Sequence, residues 1–516
     1  MAQSERSITA STPAQPASSH TRLMEVVDAL VRRAGGEPWG VRELAAELSE
    51  SRSTVNRILV SLVEIGLASE LGVGKYSVGP RIDVLTKVLS DSSVLLGRNS
   101  ELLGELADAS KCTVLVSVYC PQSSGYFIAA CSEANATLTF RPQLGVVYPI
   151  TFGDIGRHFS KFLDTNIPPL SPRNEKGDVH YTSRTNDALG QLSEPEFPSA
   201  LSIHVGSAAN GLIVSVSLHS AGNVYSKLRQ QFDADVLRVI EAVLADIESR
   251  IFQSLQTNPC ISTKGEKSTV NRLERLLLLA CVFPNGLMAS TDLNDQLLCN
   301  AATARRLIQS GVEAELVGFF ESTLFPGPRL FQWAAKMSSA QRNLADITKK
   351  ILSSLVQETG ETIALLSFDE VTGKAEFLDV IQGWRPIQYK LEVNVDVPLY
   401  AGAAGKAVLA HCDPNFVEDL ELVRITDATI TCRNALKEDL LTIKNRGWAT
   451  GEGERVLGAF GLAVPFFVDG KIRGSISATI PQYRKDERDL STLINLMREA
   501  TGKIERLLSL GLKAEQ

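Results

Sequence analysis

Three polar residues at helical spacing set the first chemical expectation. Ser53, Asn56 and Arg57 stand at i, i+3 and i+4, and Arg52 and Thr54 open the same segment. On a helix such residues share one face. Arginine can donate two hydrogen bonds to guanine O6 and N7, and asparagine matches adenine N6 and N7. Hydroxyls and the free amides of a helix start suit phosphate oxygens. Lys75 follows near the tip of the Gly-rich stretch Leu71 to Ser77. Arg52, Ser53, Thr54, Asn56, Arg57 and Lys75 together compose a DNA-reading face. The plain alternative is the solvated face of an ordinary three-helix domain. A second set lies far downstream, where Gly402, Ala403, Ala404 and Gly405 follow Val397-Pro398-Leu399. Small residues at a strand-to-helix turn let a ligand reach the backbone, and a helix start favours an anion; an ordinary tight turn would use the same residues. Gly474 to Pro481 alternates with strand period, which sends Ser475, Ser477 and Thr479 to one face.

The reading face needs helices to hold it. Leu23, Val26, Val27, Leu30 and Val31 form one apolar stripe, and Gly35-Gly36-Glu37-Pro38 breaks that helix. Val41, Leu44, Ala45 and Leu48 make a shorter stripe. After the Ser49-Glu50-Ser51 turn, with Ser51 as N-cap, Val55, Ile58, Leu59, Leu62 and Val63 make a third that ends at Gly66. A short helix, a tight turn and a second amphipathic helix are the helix-turn-helix pattern, and Leu71 to Ser77 reads as a hairpin wing.

With these motifs, Val41 to Ile82 resembles the N-terminal domain of the IclR family of bacterial transcriptional regulators. Ser53, Thr54 and Arg57, then Leu62 and Gly66, then Lys75, Tyr76, Gly79 and Pro80 carry the resemblance. It implies operator DNA as partner and a linker helix after the wing, over residues 81–98. Residues 341–512 resemble the family's effector domain through Gly402 to Ala410, Arg446-Gly447-Trp448, Glu454, Gly458, Ala463 to Phe467 and the final alternating strand. That resemblance implies a curved antiparallel sheet with flanking helices that binds a small organic acid, often aromatic or 2-oxo. It also implies the pocket residues Ala403, Ala404, Gly405, Ser477 and Thr479, with Glu454 and Trp384 as further candidates. The family often places Cys before its A-x-P segment, where this chain has Gly461.

The landmarks recur at an offset of 249. Thr54 falls on Thr303, Arg57 on Arg306, Thr113 on Thr362, and Gly153 with Gly156 on Gly402 with Gly405. Self-similarity over this length predicts two fused copies. The expected fold is therefore α+β: a winged helix-turn-helix followed by an antiparallel-sheet effector domain, the pair repeated in tandem. The expected layout has seven parts. A disordered tail (1–20) precedes a DNA-binding winged helix-turn-helix (21–80), the linker helix (81–98) and a degenerate effector domain (99–252). An inter-copy linker (253–270) leads to a degenerate winged helix-turn-helix (271–338) and the effector-binding domain (341–512). In the second copy Ala301, Ala302 and Arg305 replace Arg52, Ser53 and Asn56, and Glu321 to Leu324 stand against Gly72 to Lys75. In the first, Asp154 replaces Ala403, and a carboxylate there repels an anion. Its late strand aligns at an offset of about 262, so roughly 13 residues are missing, among them the counterpart of Trp448 to Glu454. Copy one would read DNA and copy two sense ligand, unless both effector domains have drifted into structural roles.

A net charge of −7 argues against a generic polyanion binder but leaves room for a local basic surface. Eight scattered cysteines without a C-x-x-C predict neither disulfides nor a zinc site, and no apolar run reaches membrane-span length, so the expected setting is the cytoplasm. No G-x-S-x-G, H-E-x-x-H or P-loop is present, and Cys412 and Cys432 lack a nearby base. The expected protein is a non-enzymatic regulator without cofactor, a homo-oligomer or internal pseudo-dimer. The other class kept open is a ligand-binding adaptor that does not touch DNA by itself. One good recognition helix per chain predicts that two chains are needed for two strong half-sites.

Overall fold

Ser18 starts the first helix: its hydroxyl accepts from Thr21 N, and α1 (Ser19–Arg32) buries Leu23, Val26, Val27, Leu30 and Val31. In this computed structural model the described residues are 18–93, 96, 100–110, 112–133, 142–166, 200–206, 212–219, 267–288, 293–320, 322–340, 344–385, 391–487 and 489–510. Residues 1–17 of the expected tail (1–20), most of the 253–270 linker, and the side chains of Asp154 and Glu321 lie outside them, and α1 begins inside that expected tail because Ser18 caps it.

After β1 (Trp39–Gly40) come α2 (Val41–Glu47) and α3 (Arg52–Glu64), the latter capped by Ser51, whose hydroxyl accepts from Thr54 N at 3.1 Å. The wing strands β2 (Ala68–Glu70) and β3 (Lys75–Val78) pair antiparallel, with β1 on the far side of β3. Gly79 then passes so close to the Gly66 carbonyl that a Cβ there would sit 2.2 Å from its oxygen, so only glycine fits. Pro80 opens α4 (Pro80–Ser92), which ends earlier than the expected linker helix. Downstream stand α5 (Ser100–Ser110), β4 (Thr113–Cys120), β5 (Gly125–Ser132), β6 (Val147–Pro149), α6 (Gly153–Asn166), β7 (Ala200–Gly206) and β8 (Ile213–His219). Their sheet runs β6-β5-β4-β8-β7.

The second half begins with α7 (Thr269–Val282), capped by Ser268, then β9 (Leu287–Met288), α8 (Leu293–Gln296) and α9 (Ala301–Glu313). The strands β10 (Val317–Phe320) and β11 (Thr323–Pro326) pair with β9 beside β11, and α10 (Pro328–Ala340) follows Gly327. Strand pairing corrects the expected wing register. Trp39 pairs with Tyr76 and Gly40 with Lys75, while Leu287 pairs with Leu324 and Met288 with Thr323. Thr323, not Leu324, therefore occupies the Lys75 position. Phe320 pairs with Thr323, so two residues connect these strands where four (71–74) connect β2 and β3.

The last domain contains α11 (Leu344–Thr359), β12 (Thr362–Asp369), β13 (Lys374–Ile381), α12 (Ala403–Leu409), α13 (Pro414–Asp419), α14 (Arg433–Arg446), β14 (Ala449–Glu452), β15 (Ala459–Val468), β16 (Lys471–Pro481) and α15 (Leu490–Leu508). Its sheet runs β13-β12-β16-β15-β14. Strand alternation divides the core. Ile363, Leu365, Ile476 and Ile480 pack with α11 and α15, whereas Ala364, Leu366, Phe377 and Ala463 pack with α12 and α14. Both large sheets carry a bulge at the same step, between Val116 and Ser117 and between Leu365 and Leu366.

The two winged units pack on each other through one shared core that includes Met24, Leu85, Leu276 and Trp333. Two arginines cross this contact in opposite directions. Arg81, second residue of α4, meets Glu274 of α7 at 2.6 Å. Arg329, second residue of α10, meets Asp28 of α1 at 3.2 Å, and Trp333 Nε1 donates to the same Asp28. Each unit also holds the other half's larger domain. Arg81 Nη1 donates to the carbonyls of Leu507 and Ser509 at the end of α15 (3.0 and 2.7 Å), and Lys350 Nζ donates to the Glu70 carbonyl. Conversely, Gln122 N in the β4–β5 turn donates to Glu315 Oε1 at 2.7 Å.

Candidate functional site

The α3 surface presents the expected groups. Val55, Leu59 and Leu62 turn inward, which leaves Arg52, Ser53, Asn56 and Arg57 exposed. Thr54 is half-buried, and its hydroxyl lies 2.8 Å from Ser51 Oγ, so it completes the cap before it could touch phosphate. Lys75 is exposed at the tip end of the wing, where β3 begins. Among the described residues, Arg52, Arg57 and Lys75 have no carboxylate partner, which leaves three cations free for an external anion.

The second candidate is a cleft, partly open to solvent, on the face of the last sheet that carries α12. Ala403, Ala404, Gly405, Glu454, Ser477 and Thr479, all expected from the sequence, line it together. Close backbone approach shapes it. Gly402 takes a φ of +85° to start α12, and a Cβ on Gly451 would lie 2.7 Å from Ala403 N. Gly461 sits beneath Ala403, where a Cβ would approach the Ala403 methyl to 3.1 Å, so the residue that departs from the family pattern widens the floor. Ser475 stands on the same face but spends its hydroxyl on the Ala404 carbonyl at 2.9 Å.

Glu454 lines the cleft without being free to serve it. Its Oε2 accepts from Gly402 N at 2.8 Å, and its Oε1 accepts from Lys406 Nζ at 2.6 Å. Lys406, only 2% exposed, also reaches Asp439 Oδ2 at 2.7 Å. The carboxylate is a strut that ties the start of α12 to the 453–455 loop. Trp384 is a correction of another kind: it lies outside the cleft, 66% exposed, with its ring over Gly360.

The cation that the cleft offers is Arg455, which sequence reasoning passed over. Its guanidinium lies 5.0 Å from the Phe377 ring centre, and no described carboxylate pairs with it. Burial without such a partner lowers its pKa from the ordinary arginine value. Arg455, the hydroxyls of Ser477 and Thr479, and the amides at the start of α12 border one space walled by Phe377, Leu391, Val397 and Val456. That space suits an organic anion with an apolar body. Cys412 lies outside the cleft, and burial, with a smaller push from Glu370, raises its thiol to about 12, which disfavours the reactive thiolate.

On the corresponding face of the first large sheet, larger side chains stand at these positions among the described residues. Ala364, Ala375, Val397 and Ala404 have Leu115, Tyr126, Tyr148 and Ile155 as positional counterparts at an offset of 249. Tyr126, Tyr148 and Phe159 are buried against one another, and Tyr126 donates its hydroxyl to the Phe152 carbonyl at 3.1 Å.

Comparison with known proteins adds the following. The IclR helix-turn-helix domain matches residues 19–72, and the bacterial transcriptional regulator IclR C-terminal domain matches residues 337–506. The chain is 31% identical over 185 residues to the HTH-type transcriptional regulator BhcR of Paracoccus denitrificans, covering 34% of this chain and 64% of that protein. It therefore spans less than two thirds of that relative's length. It is 29% identical over 223 residues to the transcriptional repressor IclR of Escherichia coli, covering 40% of this chain and 79% of that protein. Among solved structures, an IclR homolog from Microbacterium hydrocarbonoxydans complexed with 4-hydroxybenzoate covers 47% of this chain and 99% of its own, at 23% identity and a TM-score of 0.30.

Proposed function

Because the chain carries a helix-turn-helix domain and a C-terminal domain of the IclR family, we propose that it is a non-enzymatic, sequence-specific DNA-binding transcriptional regulator. Its last domain binds a small organic acid, aromatic or 2-oxo, and it acts in the cytoplasm. The observation that carries the ligand class is Arg455, a half-buried cation in the cleft without a carboxylate partner among the described residues. An acid that enters supplies the missing charge, and Phe377, Leu391 and Val397 cover its apolar part.

The chain is read further as a duplicated unit. The repeated strand order, the matching bulges and the two Gly-Pro-Arg helix starts at Gly79 and Gly327 support this reading. So does the length, since 79% of the Escherichia coli repressor is accounted for by 40% of this chain. The crossed arginines make the pair of winged units an internal pseudo-dimer. Labour is then divided: α3 reads DNA, and the last domain senses ligand, while Leu115, Tyr126, Tyr148 and Ile155 fill the first effector domain.

The test is titration of DNA from upstream of the protein's own gene, at fixed salt, with and without a panel of aromatic and 2-oxo acids. One acid is expected to shift DNA affinity. Arg455→Gln is expected to weaken that acid by about 2–3 kcal/mol, roughly 30- to 150-fold. Specific DNA binding unmoved by any acid would remove the ligand assignment, and no specific binding would remove the regulator.

A further inference from the structure

A winged unit that has lost most of its base-reading groups retains an exposed cationic edge. Asn300 caps α9 as Ser51 caps α3, with Oδ1 accepting from Thr303 N at 2.9 Å. Ala304 and Leu307 face the core, so Arg305 and Arg306 project to solvent, and neither has a carboxylate partner among the described residues. At the helix start, exposed Ala301 and Ala302 offer no hydrogen-bonding side chains where α3 offers Arg52 and Ser53. Thr323 stands in the strand position of Lys75, and the wing is shorter. Around Arg306 the charge is positive. His20 of α1 and Arg272 of α7 lie close by, and after burial these two arginines are what lower the His20 pKa.

The two winged units are also fixed to each other within one chain. Arg81 with Glu274 and Arg329 with Asp28 form a reciprocal contact, as expected where two similar units face across a local two-fold. A local two-fold is how a dimer of separate regulators presents its two recognition helices to one duplex.

We infer that one chain is a complete but asymmetric reader, whose α3 recognises bases in one half-site while Arg305 and Arg306 on α9 hold only the phosphates of the other half. This rests on the DNA-binding reading above. The ligand it names is a non-palindromic duplex, with sequence content on one side and a sequence-tolerant stretch one docking distance away. Two adjacent arginines, with Ala301 and Ala302 beside them at the helix start, Asn300 engaged in the cap and Gln309 bonded to Glu313, supply charge but little of the geometry that discriminates bases. Binding through them therefore adds affinity that salt weakens and sequence does not alter.

The experiment is selection of the full-length chain on a randomised 40-base-pair duplex library, followed by mass measurement of the complex on one enriched duplex. The expected result is a single conserved half-site with a flank of no base preference, and one chain per duplex. Arg305→Ala with Arg306→Ala is expected to leave that consensus unchanged and to lower affinity on every enriched duplex by about the same factor. The slope of log affinity against log salt is expected to fall by about 2. Circular dichroism of this exposed double variant checks that the fold is intact. An inverted-repeat consensus, two chains per duplex, or a double variant with wild-type affinity and slope would overturn the inference while leaving the regulator in place. A library with no enriched sequence would overturn both.

Discussion

Glu454→Gln separates a strut from a ligand contact. In the wild type, Lys406 Nζ lies 2.6 Å from Glu454 and 2.7 Å from Asp439, in a site where the lysine is 2% exposed. At an effective dielectric of about 20, the closer pair attracts by roughly 6 kcal/mol before desolvation is counted. Glutamine keeps an acceptor for Gly402 N–H but removes that charge. Breaking a buried pair from one side costs about 3–5 kcal/mol, and the remaining Asp439 places this case near the low end, about 3 kcal/mol. The assay is hydrogen exchange of the amides over residues 403–409. Loss of 3 kcal/mol of local stability accelerates exchange roughly a hundredfold where it proceeds through opening of this helix. Lys406→Met added to Glu454→Gln removes the stranded ammonium and is expected to recover much of the protection. Wild-type exchange in Glu454→Gln would refute the strut. Wild-type exchange accompanied by lost acid binding would go further and return Glu454 to the ligand.

Three other outcomes follow from the geometry. Arg57→Ala is expected to cost about 1–3 kcal/mol of operator affinity and to relax discrimination at the base it reads, measured by titration against single-base variants; unchanged affinity removes α3 as the recognition helix. Arg81→Met severs the bonds to Glu274, Leu507 and Ser509, and the acid-induced change in DNA affinity is expected to fall below about twofold while both binding sites persist. A full acid response in that variant would place the coupling elsewhere. Burial raises the Glu315 pKa, opposed by the Gln122 N–H and then Arg329. Its folded pKa therefore exceeds the unfolded one, so the folded state binds more protons between the two, and this group's contribution to stability declines as pH rises through that window. Glu315→Gln keeps an acceptor for Gln122 N and is expected to remove that slope, as read from urea unfolding midpoints between pH 4.5 and 8.

The reading helix was legible because its causes are local. Ser51 caps it, Val55, Leu59 and Leu62 set its buried face, and whatever stands between them must be exposed. The small-residue turn at Gly402 and the alternation through Ser477 and Thr479 were likewise short-range signals, and the structure gathers them in one cleft. Arg455 was not legible. Nothing in Gly453-Glu454-Arg455-Val456 shows that the glutamate faces Lys406 at a separation of 48 residues while the arginine faces a void. A charged pair in sequence leaves open which member is neutralised; only the fold decides. Trp384 misled for the complementary reason, since an aromatic near a predicted pocket strand can equally lie over a glycine such as Gly360. The wing register slipped by one because an offset of 249 was carried through a hairpin that is itself shorter.

The crossed docking gives the proposed division of labour a physical basis. The parts to which the proposal assigns chemistry, α3 with its wing and the last domain with its cleft, come from opposite halves of the chain. In a plain tandem arrangement each would adjoin a partner with altered chemistry. Here α15 packs on β15, whose Ala459 and Gly461 border the cleft, and the carbonyls at its end receive Arg81 at the start of α4. The Gly66 turn that closes α3 lies against Leu507 of the same helix. A shift of β15 on ligand entry therefore has a short packed route to the reading helix, through side chains rather than through the intervening sequence. The complementary pair, α9 with the first large domain, is tied instead by Glu315 to the β4–β5 turn. In the first domain Tyr126 and Phe159 already occupy the corresponding face among the described residues. Loss of ligand response in that domain would thus leave the competent sensor in contact with the competent reader, which is the arrangement under which a duplicated regulator can lose half of its sites and still switch.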